Sequence, residues 1–174
     1  MTEGKRNSVA AVRALGADEI ERATAIDAAN VGRSRRSFLA KRLRAAQQSA
    51  EEFLHLAVDV DGRLAGFALA RVLRGEFGRD EPVAVLDVID VDRTLSVRGC
   101  GQSLLAALGT RLRERGVRQI YSESDWTNHT LLRFFAASGF QLARRVILER
   151  AVDEPLAEPA EAASAEDGAA SMSA

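Results

Sequence analysis

The spacing of apolar residues changes several times along the chain, and each change marks an element. "SVAAVRAL" (8–15) alternates as a strand does, and "ADEIERATAIDAAN" (17–30) follows with acids in its first turn, where the positive end of a helix favours them. Gly32 closes that helix. "SRRSFLAKRLRAAQQS" (34–49) opens on a capping serine and sets Phe38, Leu39, Leu43 and Ala46 on one helical face. Two β-rich runs in "FLHLAVDVDGRLAGFALARVL" flank Asp61-Gly62, which is a hairpin signal.

Beyond a turn-like "RGEFGRDEP", the run "VAVLDVIDV" (83–91) is almost continuously apolar, as suits a central strand covered on both faces. A glycine loop leads into a helix whose Leu104, Leu105, Leu108 and Leu112 share a face, with Gly116 at its C-terminal cap. "VRQIYSES" reads as a strand, "NHTLLRFFAAS" as a short helix stopped by Gly139, and "FQLARRVILER" as a last strand. The order is β, α, α, β, β, β, α, β, α, β. Three consecutive strands before the first βαβ unit predict an α/β (α+β) domain with a mixed sheet and helices on both faces. No internal repeat is visible.

Length and composition narrow the picture. At 174 residues and 47% hydrophobic content, one domain with a real core is expected, over residues 1–150. The net charge of −1 conceals an asymmetry, because residues 151–174 hold six acids and no Lys or Arg, leaving 24 basic against 19 acidic residues elsewhere. That Ala/Glu-rich segment has no aromatics and is expected to be a disordered acidic tail. No run of about 18 apolar residues and no secretory leader are visible, so a cytoplasmic protein without membrane contact is expected. Cys100 is a lone cysteine and His55 and His129 are the only histidines, so neither a disulfide framework nor a metal site is expected.

The chemistry concentrates in "LSVRGCGQSLLAALGTRLRERG" (95–116). Exposed backbone N–H groups at a helix start attract anions, and glycines let the chain approach a phosphate closely, with Gly101 expected to leave that room. A P-loop needs GxxxxGK[ST], which is absent. A dinucleotide fingerprint needs a third glycine where Leu104 stands, and a strand directly before the loop, where "DRTLSVR" intervenes.

The third device fits. Val91 leads through a polar link to "SVRGCG", and "NHTLLRFFAASGF" supplies Asn128, Phe134, Phe135, Gly139 and Phe140 in order, with Glu123 five residues before Asn128. In these two motifs the chain resembles the GNAT superfamily of acyl-CoA N-acyltransferases, whose pyrophosphate loop reads (Q/R)xxGx(G/A). Strong resemblance covers residues 83–148. One departure is that Ser96 stands where Gln or Arg is usual.

The resemblance implies a mostly antiparallel sheet of six to seven strands, splayed between the fourth and fifth. It implies acetyl-CoA as co-substrate, held by backbone at Ile89 and Val91, by the loop and helix start at Ser96, Val97, Arg98, Gly99, Cys100, Gly101, Gln102 and Ser103, and by Asn128 and Phe135. The implied reaction is acetyl transfer to a primary amine by direct attack, with no covalent enzyme intermediate.

An ammonium is not a nucleophile, so a proton acceptor is needed. Asp87 and Asp90 lie on an otherwise apolar strand, where desolvation raises a carboxyl pKa. Three residues apart, they are expected on opposite faces, with only one towards the cleft. Glu123, across the splay, is the third candidate. Phe135 stands where many members carry a proton-donating tyrosine; a thiol of pKa roughly 8.5 leaves unaided, or Tyr121 or water serves instead. Cys100 reads as a small loop residue, and His55 as a strand residue with a satisfied ring.

The acceptor is expected to be a small-molecule or protein amine, met by a monomer or homodimer. "GRSRRSFLAKRLR", with six basic residues and no acid, walls its expected site. A catalytically silent acyl-CoA-binding module is the competing function. A nucleic-acid binder lacks the expected aromatic interleaving on its basic helix, and a nucleotide-binding oxidoreductase lacks its fingerprint.

Overall fold

Asp61 and Gly62 both take left-handed backbone, with φ of 51° and 73°, as a two-residue hairpin turn of type I′ demands. They join β2 (Phe53–Val60) to β3 (Arg63–Leu73) in the computed structural model, which describes residues 11–75, 78, 80–95 and 98–153. The chain divides into two compact units, Met1–Phe140 and Gln141–Ala174. The first holds every helix and strand among the described residues.

Among the described residues its sheet has five strands in the order β1-β2-β3-β4-β5, with β1 at Arg13–Ala14, β4 at Val83–Val91 and β5 at Ile120–Tyr121. All neighbours are antiparallel except β4 and β5, which run parallel. The mixed, mostly antiparallel sheet is the expected class, with fewer strands than the six to seven expected. "FQLARRVILER" forms no strand: in the second unit, described residues 141–153 carry neither helix nor strand. A strand exists through its ladder, and no described strand pairs with this run.

Two apolar layers cover the sheet. Leu56, Val58, Ala84 and Leu86 pack with Leu104, Leu108 and Leu112 of α3 (Cys100–Glu114) and Phe135 of α4 (His129–Ala137). Ala57, Phe67, Leu69 and Val88 pack on the opposite face with Ala23 and Ile26 of α1 (Ile20–Val31) and Leu39 and Leu43 of α2 (Arg36–Gln48). Each fully buried leucine contributes about 1.5–3 kcal/mol, so three turns of α3 are anchored while its first turn meets the loop from β4.

Gly32 caps α1 in left-handed backbone, φ 80°, and donates its N–H to Ala28. Ser34 does not cap α2. The cap position is Arg35, whose guanidinium turns back to Asp27 and ties the linker to α1.

Candidate active site

β4 loses its parallel partner early. The ladder with β5 holds only Ala84↔Ile120 and Val85↔Tyr121; the Ser122 hydroxyl then donates to the Leu86 carbonyl at 3.0 Å, in place of a backbone partner. Strand structure was expected through residue 124 and stops at Tyr121 for this reason. From Val88 to Val91 the β5 side of β4 carries no ladder, the position expected for the splay.

On the β3 side, Leu69 pairs with Val88 and Ala70 with Leu86, leaving Asp87 as the extra residue of a bulge. The bulge overturns the expectation that Asp87 and Asp90 face opposite sides: it resets the alternation, and both carboxyls point into the layer of α1 and α2. Asp87 meets Arg42 of α2 and Arg71, while Asp90 meets Asn30 of α1. Ile89 and Val91 pack on the α3 side.

The two acids have different surroundings. Asp87 accepts from Arg71 Nε at 3.0 and 3.2 Å, and Arg42 Nε lies 3.2 Å away, so two guanidinium groups hold it. Asp90 has no such pair. Asn30 Nδ2 donates to its Oδ1 at 2.9 Å and to the Val91 carbonyl at 3.1 Å, fastening α1 to the end of β4. Asp27, one helical turn before Asn30 on α1, is fully buried and held through both oxygens by Arg35. Burial first, and the Asp27 carboxyl second, push Asp90 up to about 7, against the pull of Asn30 and Arg35.

Asp92 orders the loop that follows. It accepts from the Thr94 backbone at 2.8 Å and hydroxyl at 2.6 Å and pairs with Arg22 of α1, and these contacts hold its carboxyl below the ordinary range. Ser96 and Val97 lie outside the described residues. Arg98 is exposed, and Gly99 stands at the α3 cap position in left-handed backbone, φ 97°. Among the described residues no side chain caps α3; a helical bond runs from Ser103 N to Gly99 O at 2.8 Å. Gln102 is exposed, whereas Cys100 is buried and its thiol pushed up by burial. Gly101 does not face open space, because a Cβ there would meet Phe134 of α4.

The remaining expected residues scatter. Glu123 is exposed beyond β5. Asn128 caps α4, its Oδ1 accepting from Leu131 N at 3.2 Å. Phe135 is buried, with its ring 4.7 Å from that of Phe140. Tyr121 donates its hydroxyl to Gln119 Oε1 at 2.7 Å. The His55 ring is not satisfied among the described residues: its Nε2 is buried with no hydrogen-bond partner among them. Among the described residues no cluster of His, Cys, Asp or Glu is arranged to hold a metal ion, and no helix is long and apolar enough to cross a membrane.

The model of the Acetyltransferase (GNAT) family matches residues 20–140, from the start of α1 to three residues past α4. The chain belongs to the GNAT acetyltransferase family.

Solved structures agree with GNAT membership at the level of fold. The aminoglycoside N-acetyltransferase AAC(6')-Iy in complex with CoA superposes with a TM-score of 0.71 at 22% identity, over 85% of this chain and 97% of that one. An aminoglycoside acetyltransferase from an uncultured soil metagenomic sample, in complex with sisomicin, gives 0.64 at 15% identity over 84% and 97%. A Bacillus halodurans C-125 transcriptional regulator gives 0.69 at 14% over 82% and 99%. No curated protein matches by sequence.

Within this GNAT fold, Asp27, Asn30 and Arg35 escape a reading based on motifs. Their signal lies in the helical spacing of "IERATAIDAANV": Ala23, Ile26, Asp27 and Asn30 fall at i, i+3, i+4 and i+7. An acid and an amide thus occupy the stripe that faces the sheet.

Proposed function

We propose that the chain transfers an acetyl group from acetyl-CoA to a primary amine by direct attack, with Asp90 accepting the proton that the amine must shed. The observation carrying this reading is Asp90 itself: a half-buried carboxyl brought up to about 7, one residue from the end of β4 and beside the strand's open edge. A base works best when its pKa lies near the working pH.

Two features fit the co-substrate. Past the Asp87 bulge, the backbone of Ile89 and Val91 is directed away from β3, so that edge would pair with the amides of a pantetheine arm. The Val91 carbonyl is already engaged by Asn30, which leaves Ile89 the larger share. The start of α3, reached through left-handed Gly99, would present backbone N–H groups to the diphosphate, with Arg98 exposed beside them. Acetyl-CoA supplies an activated acetyl thioester.

The protein's part is alignment and proton transfer. Asp90 takes the ammonium proton; the freed amine nitrogen then bonds to the acetyl carbon as the carbon–sulfur bond breaks, and its second proton goes to the departing thiolate, which leaves as the CoA thiol. Asp87 is not the favoured base, because both its neighbours are guanidinium groups. Exposed Glu123 lacks the burial that raises Asp90. That structural neighbours act on or bind aminoglycosides makes small polyamines the first acceptors to try.

The test follows thiol release from acetyl-CoA with a panel of primary amines. Turnover with at least one amine is expected, and Asp90→Asn should lower kcat by about 100-fold or more while leaving acetyl-CoA affinity near wild type. Tight acetyl-CoA binding without turnover would mark a silent binding module, and absence of binding would end the proposal altogether.

A further inference from the structure

Resting on the reading of Asp90 as proton acceptor, we propose that Asp27 is its positioning residue: the two carboxyls share one proton across the junction of α1 and β4, and Arg35 keeps Asp27 oriented as the acceptor in that pair. Two carboxyl groups can share a hydrogen bond only when one of them carries a proton. Asp27 is fully buried one helical turn before Asn30, whose amide holds Asp90 at 2.9 Å, and its carboxyl acts on Asp90 as a hydrogen-bonding neighbour.

The charge balance leads to the same conclusion. From α1, Asp90 meets Asp27 and Asn30; from the α1–α2 linker it feels Arg35; its cross-strand neighbour on β3 is the apolar Phe67. Arg22, the other cation at this end of α1, is occupied by Asp92. The cluster therefore holds two carboxyls against one guanidinium, and Asn30 brings no charge. Ionised throughout, it would carry a net charge of −1 largely out of water; one retained proton makes it neutral.

A cationic amine would meet the cluster in its −1 state, drawn to it and able to pass it a proton. Once the proton is taken, the cluster is neutral and the amide product carries no charge to hold it. The proton then returns to water and the −1 state is restored. Asp27 touches no reacting atom in this scheme and acts only through Asp90.

Four readouts test this on the full chain. Carboxyl carbon NMR of the wild type should show Asp90 titrating near neutrality, together with a response at Asp27 over the same pH range. The acid limb of kcat/KM should move down by about one pH unit or more in Asp27→Asn, which removes the like charge. It should move up in Arg35→Gln, which removes the opposing one. Opposite displacements are not expected from a merely structural ion pair. Asp90→Asn separates the two proposals: if it keeps full rate, the base assignment fails. If it loses rate while both other variants leave the acid limb in place, only the role of Asp27 fails. Should Asp27→Asn not fold, the wild-type titration decides, and Asp90 titrating in the ordinary carboxylate range would overturn the inference.

Discussion

A Cβ built on Gly101 would stand 3.0 Å from the ring of Phe134, closer than side chains normally approach. The second glycine of the loop motif therefore admits an aromatic ring of α4, whereas the motif alone points to a phosphate. Gly101→Val should cost about 1–3 kcal/mol by overpacking, read from urea unfolding. In Phe134→Ala the same substitution should cost clearly less. Additive effects in that double-mutant cycle would show that the ring is not the obstacle.

Asp87 sits between Arg71 and Arg42, with its carboxyl largely buried. Asp87→Ala leaves two guanidinium groups without their shared anion. The cost should be on the order of 2–3 kcal/mol, below the usual range for breaking a buried pair because both arginines keep contact with water. Turnover per folded molecule should stay within a few-fold of wild type. A loss of rate matching that of Asp90→Asn, in protein shown to be folded, would move the base assignment to Asp87.

Much of the fold was legible in local pattern. Asp61-Gly62, the Leu104–Leu108–Leu112 stripe and Gly116 are signals within a few residues, and each produced the element it announced. The bulge at Asp87 was not legible, since it depends on register with β3, and one extra residue there turned two acids expected on opposite faces onto one. The run Val146–Leu148 shows the converse: β-rich composition makes a strand only where a partner offers its edge. At the site, the glycine loop announced itself by spacing. The Asp27–Arg35–Asp90 cluster did not, because it joins residues 63 positions apart in sequence through the packing of α1 on β4.

His55 is held neutral by its surroundings. Burial first, and the charge of Arg42 second, push its imidazole down to about 4, against the pull of Asp87. The folded state thus binds this proton less readily than the unfolded chain, where an ordinary value of about 6.5 applies. The resulting stability is present above pH 6.5 and is lost as pH falls from there towards 4. His55→Phe, which removes the titration, should flatten that decline when unfolding free energies are compared across this window. An equally steep decline in the variant would place the acid sensitivity elsewhere.

Asp90 has the opposite sign. Its folded value of about 7 lies above the 3.8 of an unperturbed aspartate, so between these limits the folded chain holds a proton that the unfolded chain releases. Its contribution to stability is present below about 3.8 and is lost as pH rises through 7. Above that point an ionised, half-buried Asp90 stands near the fully buried Asp27. Asp90→Asn keeps the shape and mimics the protonated carboxyl, so the variant should melt higher than wild type at pH 8, with the difference shrinking towards pH 5. Taking the difference between the two proteins cancels other titrating groups, His55 included. A chain that gains thermal stability while losing turnover would mark Asp90 as a strained functional residue, as a base kept near neutrality must be. A constant difference in melting temperature from pH 5 to 8 would mean that this carboxyl is already ionised throughout, and the case for it as a tuned proton acceptor would fall.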